Sequence, residues 1–293
     1  MQEQIESIRS QTFTDWRLIV SDDCSIDSTL AIVENEAAKD SRIQVVSKEI
    51  PFGSAKSNFI HLLSFVDAPY VMFCDQDDYW LSNKIERQII EMIDLEKTEG
   101  DGTPLAVFSD SIVTDSTLNI VNGSFLSMNT VTPFQVSLEN QLVENAIPGN
   151  CLLVNKALAE IASLLSDCEH IIMHDWAVII VALACGKVRG IEEGLLLYRQ
   201  HSNNAAGVAD RNKISFLLGK IKDNPQRSFR ATADQARVIV NQIGGAFPAK
   251  SLELVSAWGD VYSHRRSERL KICKQYGFWK KGCAKKIYQI MFI

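Results

Sequence analysis

Ile5 and Ile8 stand at helical spacing inside a polar stretch, MQEQIESIRSQ, so the chain opens in an amphipathic helix. The next apolar block, WRLIVS at residues 16–21, is compact enough for a strand and is followed at once by Asp22 and Asp23. SIDSTLAIVENEAAKD then starts a second helix, with Asp27 or Ser25 as its N-cap. Ile43–Ser47 is predicted as a second strand. Strand, helix and strand with short connections predict a parallel βαβ unit. Residues 55–65 continue as helix, and a short apolar run begins a third strand at Tyr70. Residues 83–97 form a helix whose apolar face is drawn by Ile85, Ile89, Met92 and Ile93. Residues 105–108 are the next strand, ending in Ser109 and Asp110. From 119 to 146 the pattern is irregular around Pro133 and predicts loops and short helices. A turn at Ile147, a strand at 151–154, a helix at 175–185 and a strand near 195–198 complete the αβ pattern. Residues 211–293 carry helical periodicity alone, from Ile214, Leu217, Leu218 and Ile221 through 236–243 and 252–262.

The stretch around which this pattern turns is YVMFCDQDDYW, residues 70–80. A run of apolar β-formers ends in Asp75, Asp77 and Asp78. Carboxylates are seldom buried unless they are paired or bind a cation. A core strand that delivers acids to the edge of an open α/β sheet delivers them to where such sheets bind ligands. Asp75 and Asp77 are two apart, so in extended chain they face the same side and repel unless a cation sits between them. Mg2+ and Mn2+ accept one or two carboxylates together with substrate phosphates. The pattern therefore reads as an Asp-x-Asp metal site for a diphosphate, against the plainer reading of a solvated acidic turn. Acids after the strands at 16–21 and 105–108 favour the first.

Bulk properties narrow the field. The 293 residues are 46% hydrophobic and 23% charged, as in ordinary globular proteins. A net charge of −6 offers no global field for nucleic acid. Seven cysteines without a CxxC pair point away from a disulfide framework and from a zinc ribbon, and toward the cytoplasm. No secretory signal stands at the start, and the most apolar run, residues 177–185, is too short to cross a bilayer. The last stretch, FWKKGCAKKIYQIMFI, is basic and aromatic; it reads either as a segment lying on the inner face of the cell membrane or as a docked helix with its lysines in water.

CDQDDYW, the upstream SDDCSIDST, and the downstream MHDWAV and LLLYRQHSNNAAG resemble family-2 glycosyltransferases of the GT-A fold. The likeness is greatest to bacterial rhamnosyltransferase-type members that build surface polysaccharides, and it covers residues 1–207. It implies an α/β fold, a mostly parallel GT-A-type sheet flanked by helices, with a helical C-terminal extension at 208–293. The family normally begins with a strand that grips the nucleotide base. This sequence opens inside the following helix, so the resemblance implies a gap in the sheet where that strand would lie.

The resemblance also implies roles. Asp77 is the direct ligand of Mn2+ or Mg2+, and Asp75 faces the ribose or reaches the metal through water. Asp22 and Asp23 meet the base and ribose of a nucleotide diphosphate sugar; as plain residues, they also suit a turn. Lys56 and Asn58 match a helix start near the nucleotide. Arg199 and His201 lie in a segment expected to close over the diphosphate, with His201 on the metal or phosphate. Asp175 is the general base toward a glycan or lipid-linked saccharide acceptor. Its place before an apolar helix should raise its pKa, and an N-cap is the compatible plain reading. His174 is structural or orients the acceptor. Trp80 and Trp176 stack on a sugar or fill the core. Two other classes stay open: a catalytically inert GT-A-fold scaffold, and a nucleotidyltransferase, although no Gly-rich phosphate loop is seen.

Overall fold

A computed structural model describes residues 1–47, 51–128, 136–166, 168–200 and 225–293. Pro133, His201 and the periodic positions Ile214, Leu217, Leu218 and Ile221 lie outside the described residues. The first half alternates as expected: α1 (Gln2–Arg9), β1 (Leu18–Ser21), α2 (Thr29–Lys39), β2 (Ile43–Ser47), α3 (Ala55–Leu63), β3 (Tyr70–Met72), β4 (Tyr79–Trp80), α4 (Lys84–Glu99) and β5 (Leu105–Thr114). There follow β6 (Ile120–Asn122), α5 (Phe125–Met128), α6 (Leu138–Val143), a 3-10 turn (Gly149–Cys151), β7 (Leu152–Asn155), α7 (Lys156–Ala162), α8 (His174–Cys185) and β8 (Lys187–Arg199). Four helices close the chain: α9 (Pro225–Ile243), α10 (Ala249–Gly259), α11 (Arg266–Tyr276) and α12 (Cys283–Phe292).

The sheet is mixed. β1 and β2 pair in parallel as a ribbon of two. The other strands form a second sheet in the order β3-β7-β5-β8-β4, with β6 on the end of β5. The parallel pairing expected from the βαβ order recurs at β5–β8, but β7 enters antiparallel between β3 and β5, and β4 lies antiparallel on β8. The consequence matters for function. β3, β5 and β8 run the same way, and β7 runs against them. The carboxyl ends of β3 and β8 and the amino end of β7 therefore meet at one edge.

A cavity of about 1080 Å3 separates the ribbon from the larger sheet. Leu18 and Val20 of β1, Phe59 of α3, and Val71 and Phe73 at β3 are among its apolar walls.

Two elements differ from expectation for identifiable reasons. β5 does not stop at Phe108 but runs to Thr114 through an irregularity at Ser109–Asp110. Asp110 thus turns inward, where it accepts from the amides of Ser111 at 2.7 Å and Leu126 at 3.1 Å and caps α5. It is a structural acid and not an end-of-strand one. α4 buries Lys84, Ile85, Gln88, Met92 and Leu95, and leaves Ile93 exposed. The face is turned because Gln88 donates to the carbonyls of Val107 and Cys151, satisfying buried backbone that an apolar side chain would leave unpaired.

α8 is buried almost throughout, as its unbroken apolar sequence requires. α9 and α10 pack on α6 and α8. Phe229, Ala236, Val255, Trp258 and Phe278 belong to the same continuous core as Ile179 and Ile180 of α8. The C-terminal helices thus share the core of the αβ part, and the boundary we propose at residues 207/208 is one of sequence pattern.

Candidate active site

Met72 pairs with Leu153, and beyond it the chain leaves β3 and turns through Asp75, Gln76, Asp77 and Asp78 before β4. Asp75 is half-buried. Burial first, then the charges of Asp77 and Asp175, push its carboxyl up to about 7. The charge of Asp175, a hundred residues on, thus bears on Asp75 of the acidic loop. Asp78 is almost completely buried at 1% exposure. Burial, with Asp75 beside it, holds its carboxyl well above the usual range. It accepts from the Asn150 side-chain amide at 2.5 Å and from the Arg199 backbone N–H at 3.3 Å. Asp78 is therefore a brace: it ties the acidic loop to the turn before β7 and to the end of β8.

The turn before β7 also holds Asp175. Gly149 N–H donates to Asp175 Oδ2 at 2.8 Å, and Asn145 Nδ2 lies 3.4 Å from Oδ1. The Trp176 amide donates to Oδ1 at 2.6 Å, the N-terminal bond that a first-turn acid makes. Burial nonetheless dominates, and Asp175 is pushed up to about 6. Space at Gly149 is tight: a Cβ on it would stand 3.1 Å from both Asp175 Cβ and His174 Nε2. Gly149 and Asn150 thus link the Asp175 carboxylate to the Asp75–Asp78 loop through adjacent residues. Sequence reading missed Asn150, Gly149 and Asn145. The signal was a short Gly-Asn turn ahead of a buried strand, which is common and carries no charge.

Arg199 closes the other side. Its Nε donates to the Asp77 carbonyl at 2.9 Å, and its other nitrogens reach Ser116 O at 2.8 Å and Glu3 Oε2 at 2.5 Å. The guanidinium stands beside the acidic loop. Asp22 and Asp23 line the large cavity, as does Gln76 of the acidic loop, whereas Asp75, Asp77 and Asp175 are not among its lining residues. Asp22 accepts from Ser25 N at 2.8 Å, and Asp23 accepts from the amides of Phe52 and Gly53. Asn58 donates to Ser21 O at 3.0 Å and also lines the cavity, its buried Oδ1 unpartnered.

Four other predicted side chains sit in packing or bracing positions. Lys56 donates to the carbonyls of Glu169 and Ile171, fastening α3 to the approach to α8. His174 is 3% exposed, stacked on Phe59 with ring centroids 4.1 Å apart. Burial lowers its pKa to about 3, so it is neutral. Trp176 is buried and donates to Gln141 O at 2.5 Å. Trp80 is buried between Lys84, whose ammonium lies 4.7 Å from the ring centre, and the cavity. Trp176 is thus held in packing, whereas Trp80 borders the cavity.

The donor set fits a divalent cation. Asp75 and Asp77 carry mutually repelling charge that a cation would relieve. Among the described residues no three His, Cys, Asp or Glu side chains are grouped to hold a metal by themselves. One or two carboxylates completed by phosphates and water is the mode Mg2+ and Mn2+ favour.

The family model described as "Glycosyl transferase family 2" matches residues 1–152. Among curated relatives, the dTDP-rhamnosyl transferase RfbG of Shigella flexneri is 27% identical over 274 residues, covering 88% of this chain and 90% of its own length. The UDP-Glc:alpha-D-GlcNAc-diphosphoundecaprenol beta-1,3-glucosyltransferase WfgD of Escherichia coli is 36% identical over 90 residues, covering 30% of this chain and 34% of that protein. Among solved structures, S. aureus TarS 1-349 in complex with UDP superposes with a TM-score of 0.54 at 15% identity, covering 89% of this chain and 86% of that one. The mannosyltransferase PcManGT of Pyrobaculum calidifontis, in complex with GDP-Man and Mn2+, gives 0.50 at 13% identity over 99% and 80% of the two chains. At these identities the structural likeness is one of fold.

Proposed function

The chain belongs to glycosyl transferase family 2, and we propose that it moves a sugar from a nucleotide diphosphate donor to a hydroxyl of a growing surface polysaccharide or lipid-linked glycan, with inversion. The family and the transferases among its relatives favour this over the scaffold and the nucleotidyltransferase. Rhamnose is the proposed sugar, because the relative that spans most of the chain is a dTDP-rhamnosyl transferase. A lipid-linked acceptor is suggested by the diphosphoundecaprenol in the name of another. The observation that carries the reading is convergence: Gly149 N–H donates to the Asp175 carboxylate, and the adjacent Asn150 donates to Asp78 of the acidic loop.

In this reading Asp22 and Asp23 hold the nucleoside end along the cavity wall. Asp77, with Asp75, holds Mn2+ or Mg2+. The cation, when bound, supplies Lewis-acid stabilisation of the departing diphosphate. Arg199 adds positive charge on the same side. Asp175, kept ionisable near neutrality by burial, takes the proton from the acceptor hydroxyl as its oxygen attacks the anomeric carbon. The bond to the diphosphate breaks on the opposite face, which inverts the centre. Gly149 and Asn150 fix the distance between the proton acceptor and the acidic loop.

The test is a donor screen that measures nucleoside diphosphate release from dTDP-, UDP- and GDP-sugars with Mn2+ or Mg2+. One donor is expected to be turned over, and a chelator should stop it. Release from none of them with any cation would overturn the reading. A second expectation concerns the turn. Gly149→Ala pushes a methyl into Asp175 and His174 and should lower turnover by about 10–100-fold with donor affinity unchanged. Unchanged turnover would show that the contact does not position the base.

A further inference from the structure

α12 is built the wrong way round for a helix on a globular surface. Its inner side buries Lys285, Tyr288 and Gln289, with Lys285 paired to Glu144 at 3.0 Å. Its outer side presents Ile287, Ile290 and Met291, which are 58%, 39% and 52% exposed. These positions are three and four apart, so they form one apolar stripe. Lys286 stands on the same face, its ammonium 4.9 Å from the Trp279 ring centre. Arg266 of α11 donates to the carbonyls of Ile290 and Met291, which places a guanidinium at the end of the stripe. Arg265, Lys271 and Lys274 are exposed as well.

The charge around the stripe is lopsided. From His264 to Ile293 there are nine Lys and Arg against one acid, Glu268, leaving 21 basic and 35 acidic residues in the rest of the chain. A compact cationic region on an acidic protein, centred on an apolar stripe, matches an anionic lipid surface in both respects: headgroup charge for the cations and the acyl boundary for Ile287, Ile290 and Met291. A nucleic acid would use the charge but leave the stripe in water. The face is also mechanically connected to the site. Lys285 pairs with Glu144, and the next residue, Asn145, has its amide nitrogen 3.4 Å from Asp175 Oδ1.

We propose that α11 and α12 form a docking surface for an anionic bilayer, holding the Asp175 cleft at the membrane where a lipid-linked acceptor resides. Only the purpose of the contact rests on the transferase reading; the contact itself is read without donor or metal, so either can fail alone.

The test is co-sedimentation of the protein with phosphatidylcholine vesicles, with and without phosphatidylglycerol. Binding is expected only to the anionic vesicles and should weaken as salt rises. Ile287→Ser with Ile290→Ser and Met291→Ser should lower the partition coefficient at least ~10-fold, with circular dichroism and melting temperature unchanged. Lys271→Glu with Lys274→Glu and Lys286→Glu should do the same. No binding to anionic vesicles, or binding unchanged in the serine variant, would overturn the proposal. So would poly(U) binding or a dimer in light scattering that appears without any vesicle binding.

Discussion

Asp175→Asn should bind donor and metal as the parent does and turn over about 10²–10⁴-fold more slowly, the usual contribution of a positioned general base. The amide can still accept from Gly149 N–H, so the turn and the spacing to the acidic loop survive while the proton acceptor is lost. The pH dependence gives a second, independent readout. Asp175 is pushed up to about 6, chiefly by burial, and it works as a base only when ionised. The rate at low substrate should therefore fall as pH drops through about 6, and that limb should vanish in Asp175→Asn.

Stability should move in the opposite direction to activity. The folded-state carboxyl of Asp175 lies above its ordinary value of 3.8. The folded protein thus holds this proton more tightly than the unfolded chain, and stability is lost as pH rises from about 4 to about 6. Above that window the buried charge costs on the order of 2–3 kcal/mol, which the asparagine avoids. Melting temperatures in chelator should show Asp175→Asn stabilised at pH 8 but not at pH 4. Near-parental turnover in the variant would remove Asp175 from the role of base. Equal melting temperatures at pH 8 would remove the buried-charge account.

Asp77→Ala should abolish metal-dependent turnover, a loss on the order of 10³-fold, because stabilisation of the leaving diphosphate is usually the largest single contribution in such a site. Little should change in folding, since Asp78 and the Arg199 backbone still brace the loop. The comparison with Asp78→Asn separates the two roles. Asp78 is buried and bonded to Asn150 and Arg199, so its loss should perturb the melting temperature as well as the rate. A Mn2+ titration of the rate that is unaltered in Asp77→Ala would contradict the assignment.

Much of this was legible in the chain. Strict periodicity marked α1 through Ile5 and Ile8, and the unbroken apolar run marked α8. The acids after β1 and β3 and at the head of α8 were visible as charges where burial was expected. What escaped depended on contacts distant in sequence. The antiparallel entry of β7 cannot be read from a short apolar run, yet it is what brings Gly149 and Asn150 to the acid edge. Asp110 looked like the other strand-end acids because the irregularity that turns it inward has no sequence mark of its own. Lys56 and Trp176 carry the right chemistry for ligands, but their hydrogen bonds go to backbone carbonyls of neighbouring segments. The reversed polarity of α12 was equally hidden, because Lys285 turns inward to Glu144 while Ile287 and Ile290 face out.

The most direct measurement is uptake of Mn2+ followed by electron paramagnetic resonance of the free ion, with and without dTDP or UDP. The account predicts one Mn2+ bound per chain, tightly only when the nucleoside diphosphate is present, and lost in Asp77→Ala. No uptake with any nucleoside diphosphate, or uptake that Asp77→Ala leaves intact, would contradict it.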